Sequence, residues 1–256
     1  MQADQSTLNS RPSTAAAPFP ETADIESSSD GYAGRFAGPT GQWMLSVQER
    51  LTLSLLKPYG EGRSILDVGG GHGQLAVPLC REGHRVTVLG SSEECARRIQ
   101  PALDSGRWRF RVGNVIALPF PDRSFDLAIS FRLLTHCGSW PELVAELCRV
   151  AREGVIVDYP TSQSVNRLAP KLFEAKKKVE LNTRTWRLFT HAEVRRVFSE
   201  QCFKQTRLKK QFLLPMVLHR MLKCRPVSAG LETAFRGIGL TRLAGSPVIG
   251  LYRRDG

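Results

Sequence analysis

A glycine-rich turn between an apolar run and a helical pattern constrains this chain most. The run Ser64–Val68 has the length and composition of a buried strand, and glycines follow it at positions 69, 70, 71 and 73. Glycine is needed where the backbone turns with a positive φ or lies against a ligand without a Cβ in the way. The turn therefore predicts a strand that enters a helix through a loop suited to a bound ligand.

The turn lacks the features of a phosphate-binding loop. A dinucleotide fingerprint would have its third glycine where this chain has Gln74, and a P-loop would need a lysine that is absent here. Asp67 lies at the end of the strand, where a carboxylate can hold an ammonium group or order the loop amides. A cationic cofactor therefore suits the turn better than a pyrophosphate.

Short apolar runs alternate with helical patterns along the first part of the chain. Residues 41–60 place apolar side chains at helical spacing and end at Pro58 and Gly60, which predicts a lead-in helix. Strands that alternate with crossover helices indicate a parallel, doubly wound sheet covered on both faces. The predicted strands here are Ser64–Val68, Val86–Leu89, Trp108–Val112, Phe125–Phe131 and Val155–Tyr159.

The last part of the chain predicts a helix, two more strands and a helical insertion. Thr190 and Glu193 form a capping box, which predicts a helix that starts at this point. Residues 202–212 and 246–252 read as strands, with helical material between them. We therefore expect an α/β fold with a doubly wound, seven-stranded, mostly parallel sheet and a helical insertion before the last strand.

The chain has the length of one large α/β domain with a terminal extension. Residues 1–30 are rich in Ser, Thr, Ala and Pro and nearly free of large apolar side chains, which predicts a disordered tail. The domain then covers residues 31–256. We expect its lid or insertion segments at about 164–190 and 213–242.

Positive charge is concentrated in one stretch of the chain. Between Thr161 and Arg225 there are 16 basic and 4 acidic residues, an excess that equals the net charge of +12 of the whole chain. Such local charge favours an acidic partner, which includes an acidic substrate, an anionic membrane surface and nucleic acid. A solvated basic surface without a partner is the alternative.

The six cysteines are scattered and form no C-x-x-C pair, so the sequence predicts no metal site and no disulfide framework. No run of 18 or more apolar residues occurs, and the first 30 residues do not resemble a signal or transit peptide. We expect a cytoplasmic protein, with peripheral attachment to a membrane as an alternative.

The chain resembles the class I S-adenosylmethionine (SAM) dependent methyltransferases, specifically the methyltransferase type 11-like group. The first motif of that group is acid-x-Gly-x-Gly-x-Gly, and residues 118–126 match the L-P-F-x-D-x-S-F-D run that enters its fourth strand. Later helices and strands also match, so the resemblance covers about Tyr32 to Tyr252. The residues that match the first motif are Asp67, Gly69, Gly71 and Gly73.

This resemblance implies a Rossmann-like methyltransferase fold, an enzyme, and SAM as its cofactor. Tyr32 and Arg35 lie in a segment that some family members fold over the cofactor, and attachment of the lead-in helix to the sheet is the alternative role. The implied cofactor-binding residues are Asp67, Gly69, Gly70, Gly71, Gly73, Gly90, Ser91, Asn114, Val115, Phe131, Tyr32 and Arg35.

Two of these positions depart from the family pattern. Gly90 stands where the family usually has an acidic residue that accepts hydrogen bonds from the ribose hydroxyls. Asn114 stands in place of the common Asp near the adenine amino group, and its carbonyl oxygen can still accept. Glu93 is a candidate to reach the ribose instead, or it is an exposed carboxylate in the first turn of a helix.

The acceptor side of this fold lies beyond the carboxyl ends of strands four and five, where the chain has Arg132, His136, Asp158 and Tyr159. His136 has a suitable pKa for a catalytic base, and a structural histidine is the alternative. No N-P-P-Y motif follows the fourth strand, which in this family speaks against methylation of base amines or glutamine amides. We therefore expect O- or C-methylation of a small-molecule acceptor, either acidic or lipid-like.

Residues 207–223 combine apolar side chains with flanking bases. This composition fits an interfacial helix on an anionic membrane, and the alternative is a pocket lid whose apolar residues pack inward. Two other function classes stay open. One is an RNA-directed methyltransferase or RNA-binding protein that uses the basic region, although few aromatic residues accompany the bases. The other is a non-catalytic partner protein with the methyltransferase fold.

Overall fold

The computed structural model of the chain describes residues 19–71, 73–99, 106–165 and 187–255. Three helices come before the first strand: α1 (Ala23–Ser27), α2 (Asp30–Gly34) and α3 (Gly38–Leu56). The prediction of a disordered tail up to residue 30 is wrong for its last part, because α1 is ordered with Asp24 fully buried. Residues 1–18 lie outside the described residues.

A seven-stranded sheet forms the centre of the molecule, with the strand order β3-β2-β1-β4-β5-β7-β6. The first five strands are parallel, and β7 runs antiparallel to both of its neighbours. This confirms the predicted fold class and every predicted strand. The strands are β1 (Ser64–Val68), β2 (Arg85–Gly90), β3 (Trp108–Val112), β4 (Phe125–Ser130), β5 (Ala151–Tyr159), β6 (Phe203–Phe212) and β7 (Ser246–Arg254).

Helices cover both faces of the sheet, as the continuous apolar runs of its central strands require. One face is covered by α3 and α4 (Ala76–Arg81), and the other by α5 (Trp140–Val150) and α6 (His191–Glu200). Thr190 is confirmed as the N-cap of α6, since its Oγ1 accepts a hydrogen bond from the Glu193 N–H at 3.2 Å, while the Glu193 carboxylate pairs with Arg187. The helix α6 buries Val194, Val197 and Phe198 against the sheet in the usual amphipathic manner.

The helical insertion before β7 consists of α7 (Met216–Leu222), α8 (Arg225–Gly237) and α9 (Leu240–Ala244). Proline occupies the first turn of α8 and the position before α7, where its missing N–H leaves no helical hydrogen bond unmade. The expected interfacial helix over 207–223 is not formed as one element, because β6 continues to Phe212 and buries that ring completely. Most of the predicted lid at 164–190 lies outside the described residues.

The strand order reverses between β1 and β4, which is where open α/β sheets bind ligands. The glycine turn follows β1 at this point, and Phe131 follows β4. The fold therefore brings the predicted cofactor turn and the predicted acceptor side to one edge. None of the helices in the described ranges is both long and apolar enough to cross a bilayer.

Candidate active site

The glycine turn after β1 is held in shape by its own backbone. Gly69 and Gly73 have φ of 77° and 71°, a conformation that strains any residue with a Cβ. The Gly69 N–H donates to the carbonyl of Leu89 at 2.8 Å, and the Gly73 N–H donates to the carbonyl of Gly70 at 2.8 Å. The turn is therefore closed onto the end of β2, as the glycine spacing predicts.

Gly70 and Gly71 are required because other groups lie close to their backbone. A Cβ on Gly70 would lie 2.2 Å from the Asp67 carboxylate. A Cβ on Gly71 would lie 2.1 Å from the Ser28 Oγ and 2.7 Å from the Cys95 carbonyl oxygen. The closeness of Ser28 to Gly71 shows that the N-terminal part of the chain lies directly on the turn.

We call residues 20–30, which include α1, the N-terminal cover. Its Asp24 accepts two hydrogen bonds from Ser91, one from the backbone N–H and one from the hydroxyl, both at 2.6 Å. Three residues earlier in the cover, Glu21 accepts a hydrogen bond from the Ser139 N–H at 2.8 Å. Because the cover has few large apolar side chains, these polar contacts at the end of β2 and at the start of α5 account for its position.

Gly90, the last residue of β2, has no room for a side chain. A Cβ there would lie 2.7 Å from the Cys95 Cβ and 3.1 Å from the Phe110 ring. An acidic residue at this position would therefore collide with its neighbours. The carboxylate found at this strand end is that of Asp24, which comes from the N-terminal cover and bonds to the next residue, Ser91.

A cavity of about 20 Å³ remains between the N-terminal cover and the turn, which is the room of about one water molecule. Small-molecule pockets usually measure about 300–1,000 Å³. The cover therefore fills most of the space in front of the turn. The cavity is lined by Ser27, Asp67, Gly69, Gly70, Gln74, Leu75, Phe131 and Arg132.

Asp67 and Arg132 are the charged residues of this cavity. Burial raises the pKa of the Asp67 carboxyl to about 7, and the positive charge of Arg132 opposes this shift. Arg132 has a left-handed backbone with φ of 60°. Its guanidinium carbon lies 5.0 Å from the centre of the Phe36 ring and 5.6 Å from that of Tyr32, which is within the range of cation–π attraction.

Asp158 links the end of β5 to Arg132 and to α3. Its carboxylate accepts hydrogen bonds from the Arg132 backbone N–H at 2.5 Å and from the Gln48 side chain at 3.0 Å. The Gln48 amide oxygen in turn accepts from Gln74 in the turn. Burial raises the pKa of Asp158 to about 6, and these hydrogen bonds and the Arg132 charge oppose the rise. The network thus joins the acceptor side to the glycine turn.

Tyr32 and Arg35, predicted to cover the cofactor, have different environments. Tyr32 is buried in an apolar cluster with Phe36, Trp43 and Phe212, which attaches α2 and α3 to the insertion. Arg35 lies at the surface, with its guanidinium 5.1 Å from the Tyr32 ring centre and 4.0 Å from the Glu26 carboxylate. Tyr32 contacts the Arg132 guanidinium, and Arg35 does not line the cavity.

The remaining implied contacts surround the same edge of the sheet. The side-chain Oδ1 of Asn114 accepts a hydrogen bond from the Ile116 N–H at 3.0 Å and so stabilises its own turn. Val115 is completely buried in the core. Phe131 lines the small cavity, as does Asp67, whereas the predicted Asn114 and Val115 do not.

His136 lies on the other side of the N-terminal cover, away from Asp67. It lines an open surface cavity of about 950 Å³ together with Glu21, Glu26, Arg97 and other residues of the cover. Tyr159 is also separate from Arg132, because its hydroxyl lies 3.1 Å from the His191 Nδ1 on the α6 side of the sheet. Among the four predicted acceptor-side residues, the structure brings together only Arg132 and Asp158.

Comparison with known proteins identifies the class. A family model described as a methyltransferase domain matches residues 65–154, which include β1, the glycine turn and β4. The malonyl-[acyl-carrier protein] O-methyltransferase of Pectobacterium atrosepticum is 26% identical over 204 residues, which cover 79% of this chain and 74% of that protein. The chain therefore carries a methyltransferase domain, and these matches support a class I SAM-dependent methyltransferase.

Two other known proteins match this chain, one over a smaller share of its length and one at lower sequence identity. The ubiquinone/menaquinone biosynthesis C-methyltransferase UbiE of Paracoccus denitrificans is 36% identical over 101 residues, or 37% of this chain and 40% of that protein. The magnesium protoporphyrin IX methyltransferase of Synechocystis PCC 6803, solved with bound SAH, superposes with a TM-score of 0.61 at 13% identity. That superposition covers 90% of this chain and 98% of the other, and it shows the shared fold.

SAM is the cofactor of this methyltransferase, and the residues of the turn fit it. The side-chain-free backbone at Gly69–Gly71 leaves room for close approach, and the buried Asp67 carboxylate suits an ammonium group. The volume does not fit while the N-terminal cover is in place, since Ser28 and Asp24 lie against the turn. The described His, Cys, Asp and Glu side chains form no group of three that could hold a metal ion.

Sequence reasoning missed Asp24, Gln48 and Gln74. Asp24 falls in the segment predicted to be a disordered tail because it has few large apolar side chains, and the role of Asp24 depends on a contact 67 positions away. Gln48 gave a weak signal, since it is a polar residue adjacent to the apolar stripe of α3 and is almost completely buried.

Proposed function

We propose that this methyltransferase transfers the methyl group of SAM to an oxygen or an acidic carbon of a small-molecule or lipid-like acceptor. The observation that carries the proposal is the position of Arg132. It lies at the carboxyl end of β4, and it lines the small cavity with Asp67 and the glycine turn. Its Nη1 is buried and has no hydrogen-bond partner among the described residues.

An unpaired guanidinium nitrogen at this edge suits an anionic group of the acceptor. Arg132 is already stacked on Tyr32 and Phe36, so its orientation is fixed before a ligand arrives. A guanidinium binds carboxylates, phosphates and enolate or phenolate oxygens through charge-assisted hydrogen bonds. We therefore assign Arg132 the binding of an acidic acceptor group.

The charge of Arg132 favours oxygen and carbon acceptors over amines. Bound SAM supplies an electrophilic methyl group on a positively charged sulfur. An amine gains positive charge when it is methylated, and a neighbouring guanidinium opposes that change. An oxyanion or carbanion loses negative charge instead, and the same guanidinium stabilises the anion that must form first.

We assign to Asp158 the proton that such an acceptor loses. Its carboxylate is buried beside the Arg132 backbone, and its raised pKa of about 6 is near the range of a useful base. Gln48 and the Arg132 N–H hold the carboxylate in place. His136 is the second candidate for this role. It ranks behind Asp158 because it lies on the far side of the N-terminal cover.

We further propose that the N-terminal cover leaves the glycine turn when the cofactor binds. The cover lines both the small cavity at Asp67 and the large cavity at His136. Its displacement would therefore join the two into one cleft of a size typical for ligand pockets. The polar contacts of Asp24 and Glu21 would be replaced by water in the open state.

The names of the relatives agree with oxygen and carbon acceptors. One is called a malonyl-[acyl-carrier protein] O-methyltransferase and the other a quinone-biosynthesis C-methyltransferase. A malonyl group carries a carboxylate and a quinol carries acidic hydroxyls. Both would present an anion to Arg132.

The test is methyl transfer from labelled SAM to matched acceptors. A malonyl thioester and a benzoquinol should accept the label, and a primary amine of the same size should not. Arg132→Gln should lower kcat/KM for the accepted substrates by roughly 10- to 100-fold, the effect of losing a charged hydrogen bond. Arg196→Gln, which removes an exposed arginine of α6, should change nothing. Transfer to the amine, or full activity of the Arg132 variant, would contradict the proposal.

A further inference from the structure

Among the described residues, the large apolar side chains that are exposed all lie in the insertion. In the described part of the chain, every large hydrophobic residue with an exposed side chain lies between 221 and 243. Met221, Ile238 and Leu243 are the most exposed, at 72%, 72% and 74%. Contiguous apolar patches on a protein surface usually mark an interaction site. We call this patch the α7–α9 surface, and it consists of Met221, Leu222, Val227, Leu231, Ile238, Leu240 and Leu243.

The helix α8 contributes to this surface because it is turned the opposite way from an ordinary amphipathic helix. Val227, Leu231 and Ile238 share one face at the spacing of 3.6 residues per turn, and this face points outward. The inner face instead buries Ser228 and Glu232. The apolar stripe is therefore available to a partner.

Glu232 fixes this orientation of α8. Its carboxylate accepts hydrogen bonds from the backbone N–H groups of Leu213 and Leu214, both at 2.9 Å. It also contacts the His219 Nε2 at 3.1 Å, and both side chains are buried. A rotation that buried the apolar stripe would leave these donors without a partner, which is unfavourable inside a protein. The outward stripe is thus a stable feature of the fold.

The segment that forms the α7–α9 surface is strongly basic. From residue 216 to residue 244, the span of its three helices, the chain has five Lys and Arg residues and one acidic residue, the buried Glu232. Lys210 of β6 also lies beside the surface, since its Nζ donates to the Leu243 carbonyl oxygen at 2.6 Å. The five bases are Arg220, Lys223, Arg225, Arg236 and Arg242.

We propose that the α7–α9 surface docks on an anionic membrane. Exposed apolar side chains interspersed with Lys and Arg match a bilayer whose acidic headgroups pair with the bases while the apolar groups enter the acyl region. A second copy of the chain would instead bring two basic surfaces together. The proposal does not depend on the methyl-transfer reaction, because membrane binding is measured without cofactor or acceptor.

The surface is also connected to the acceptor side of the active site. Met216 of α7 and Ala229 of α8 pack on the apolar cluster that includes Tyr32 and Phe36. These two rings are the ones that hold the Arg132 guanidinium. Docking at the α7–α9 surface would therefore place a membrane next to the element that shapes the acceptor site.

Co-sedimentation of the full chain with vesicles tests the proposal. The chain should bind vesicles of phosphatidylcholine with about one third phosphatidylglycerol and bind pure phosphatidylcholine at least ten-fold more weakly. Ile238→Asp and Leu243→Asp should each weaken binding to the anionic vesicles about ten-fold or more. Ala192→Asp adds the same charge to an exposed position of α6, on the other face of the sheet, and should have little effect.

A second measurement separates insertion from adsorption by charge alone. In Ile238→Trp, brominated acyl chains should quench more tryptophan emission than they do in the unsubstituted chain. Absence of vesicle binding, or equal binding by Ile238→Asp and the unsubstituted chain, would overturn the proposal. So would a dimer that Ile238→Asp converts to monomer, since it would make a second copy the occupant. Tight binding of an RNA oligonucleotide that competes with the vesicles would assign the surface to nucleic acid instead.

Discussion

Asp24 and Glu232 are two buried carboxylates that do the same task in two regions of the molecule. Each is carried by a helix and accepts a backbone N–H just beyond the carboxyl end of a strand, Asp24 after β2 and Glu232 after β6. The helices differ, because α1 has five residues and α8 has thirteen. Asp24 occupies the position where the cofactor is expected, and no ligand is expected at Glu232. In the proposed function, the same contact therefore serves a removable cover in one region and a permanent support in the other.

The largest effect should come from removal of Glu232. Glu232→Ala leaves two backbone donors and the buried His219 without their acceptor, which should lower the free energy of unfolding by about 3–5 kcal/mol. Urea unfolding followed by circular dichroism measures this change. SAM affinity, measured in the absence of urea, should stay the same.

Glu142→Ala is the matched control for this variant. Glu142 is an exposed acid in the first turn of α5, and its loss should lower the free energy of unfolding by only about 0.5 kcal/mol. An equally small effect at Glu232 would show that α8 is not fixed by its carboxylate, and the contrast with Asp24 would then disappear.

A smaller effect on stability, with an effect on binding, should follow from Asp24→Ala. Loss of the two Ser91 contacts favours the open state of the N-terminal cover, so the apparent affinity for SAM and SAH should rise roughly ten-fold. The midpoint of global unfolding should move little, because a short helix can leave the domain by itself. Isothermal titration calorimetry with SAH measures the affinity.

Asp30→Ala is the control for Asp24→Ala, since Asp30 belongs to the same cover but pairs with Arg98 and not with Ser91. Its SAH affinity should equal that of the unsubstituted chain. If Asp24→Ala weakens SAH binding instead, Asp24 is a ligand of the cofactor that replaces the acid absent at Gly90, and the cover closes over the cofactor.

The smallest effect should be the pH dependence of cofactor binding. The folded pKa of Asp67 is about 7, above its ordinary value, so its carboxylate is ionised above this pH and neutral below it. Its attraction for the cofactor ammonium is therefore lost as the pH falls, and SAM affinity should drop about five-fold from pH 7 to pH 6. The same titration with Asp67→Asn should give a weaker affinity that no longer depends on pH in this range.

Strong local patterns explain why the fold could be predicted from the sequence. Three predicted features depend on residues close together in the chain, and the structure has all of them. They are the glycine turn, the apolar strand runs and the N-cap at Thr190. The position of α1 depends instead on the hydrogen bonds between Asp24 and Ser91. A segment with few large apolar side chains gives no local signal for such a contact. The inverted face of α8 has a similar reason, since its stripe is visible in the sequence but the donors that hold Glu232 inside are not.

The lack of space at Gly90 limits how this enzyme can be redesigned. An acid introduced at the end of the second strand would be a simple way to strengthen nucleoside recognition, but any side chain here would meet Cys95 and Phe110. The strand end, the following serine and the N-terminal aspartate form one unit that engineering would have to replace together. A chimera that exchanged the sheet but not the N-terminal cover would separate Asp24 from the Gly90 and Ser91 that it fits.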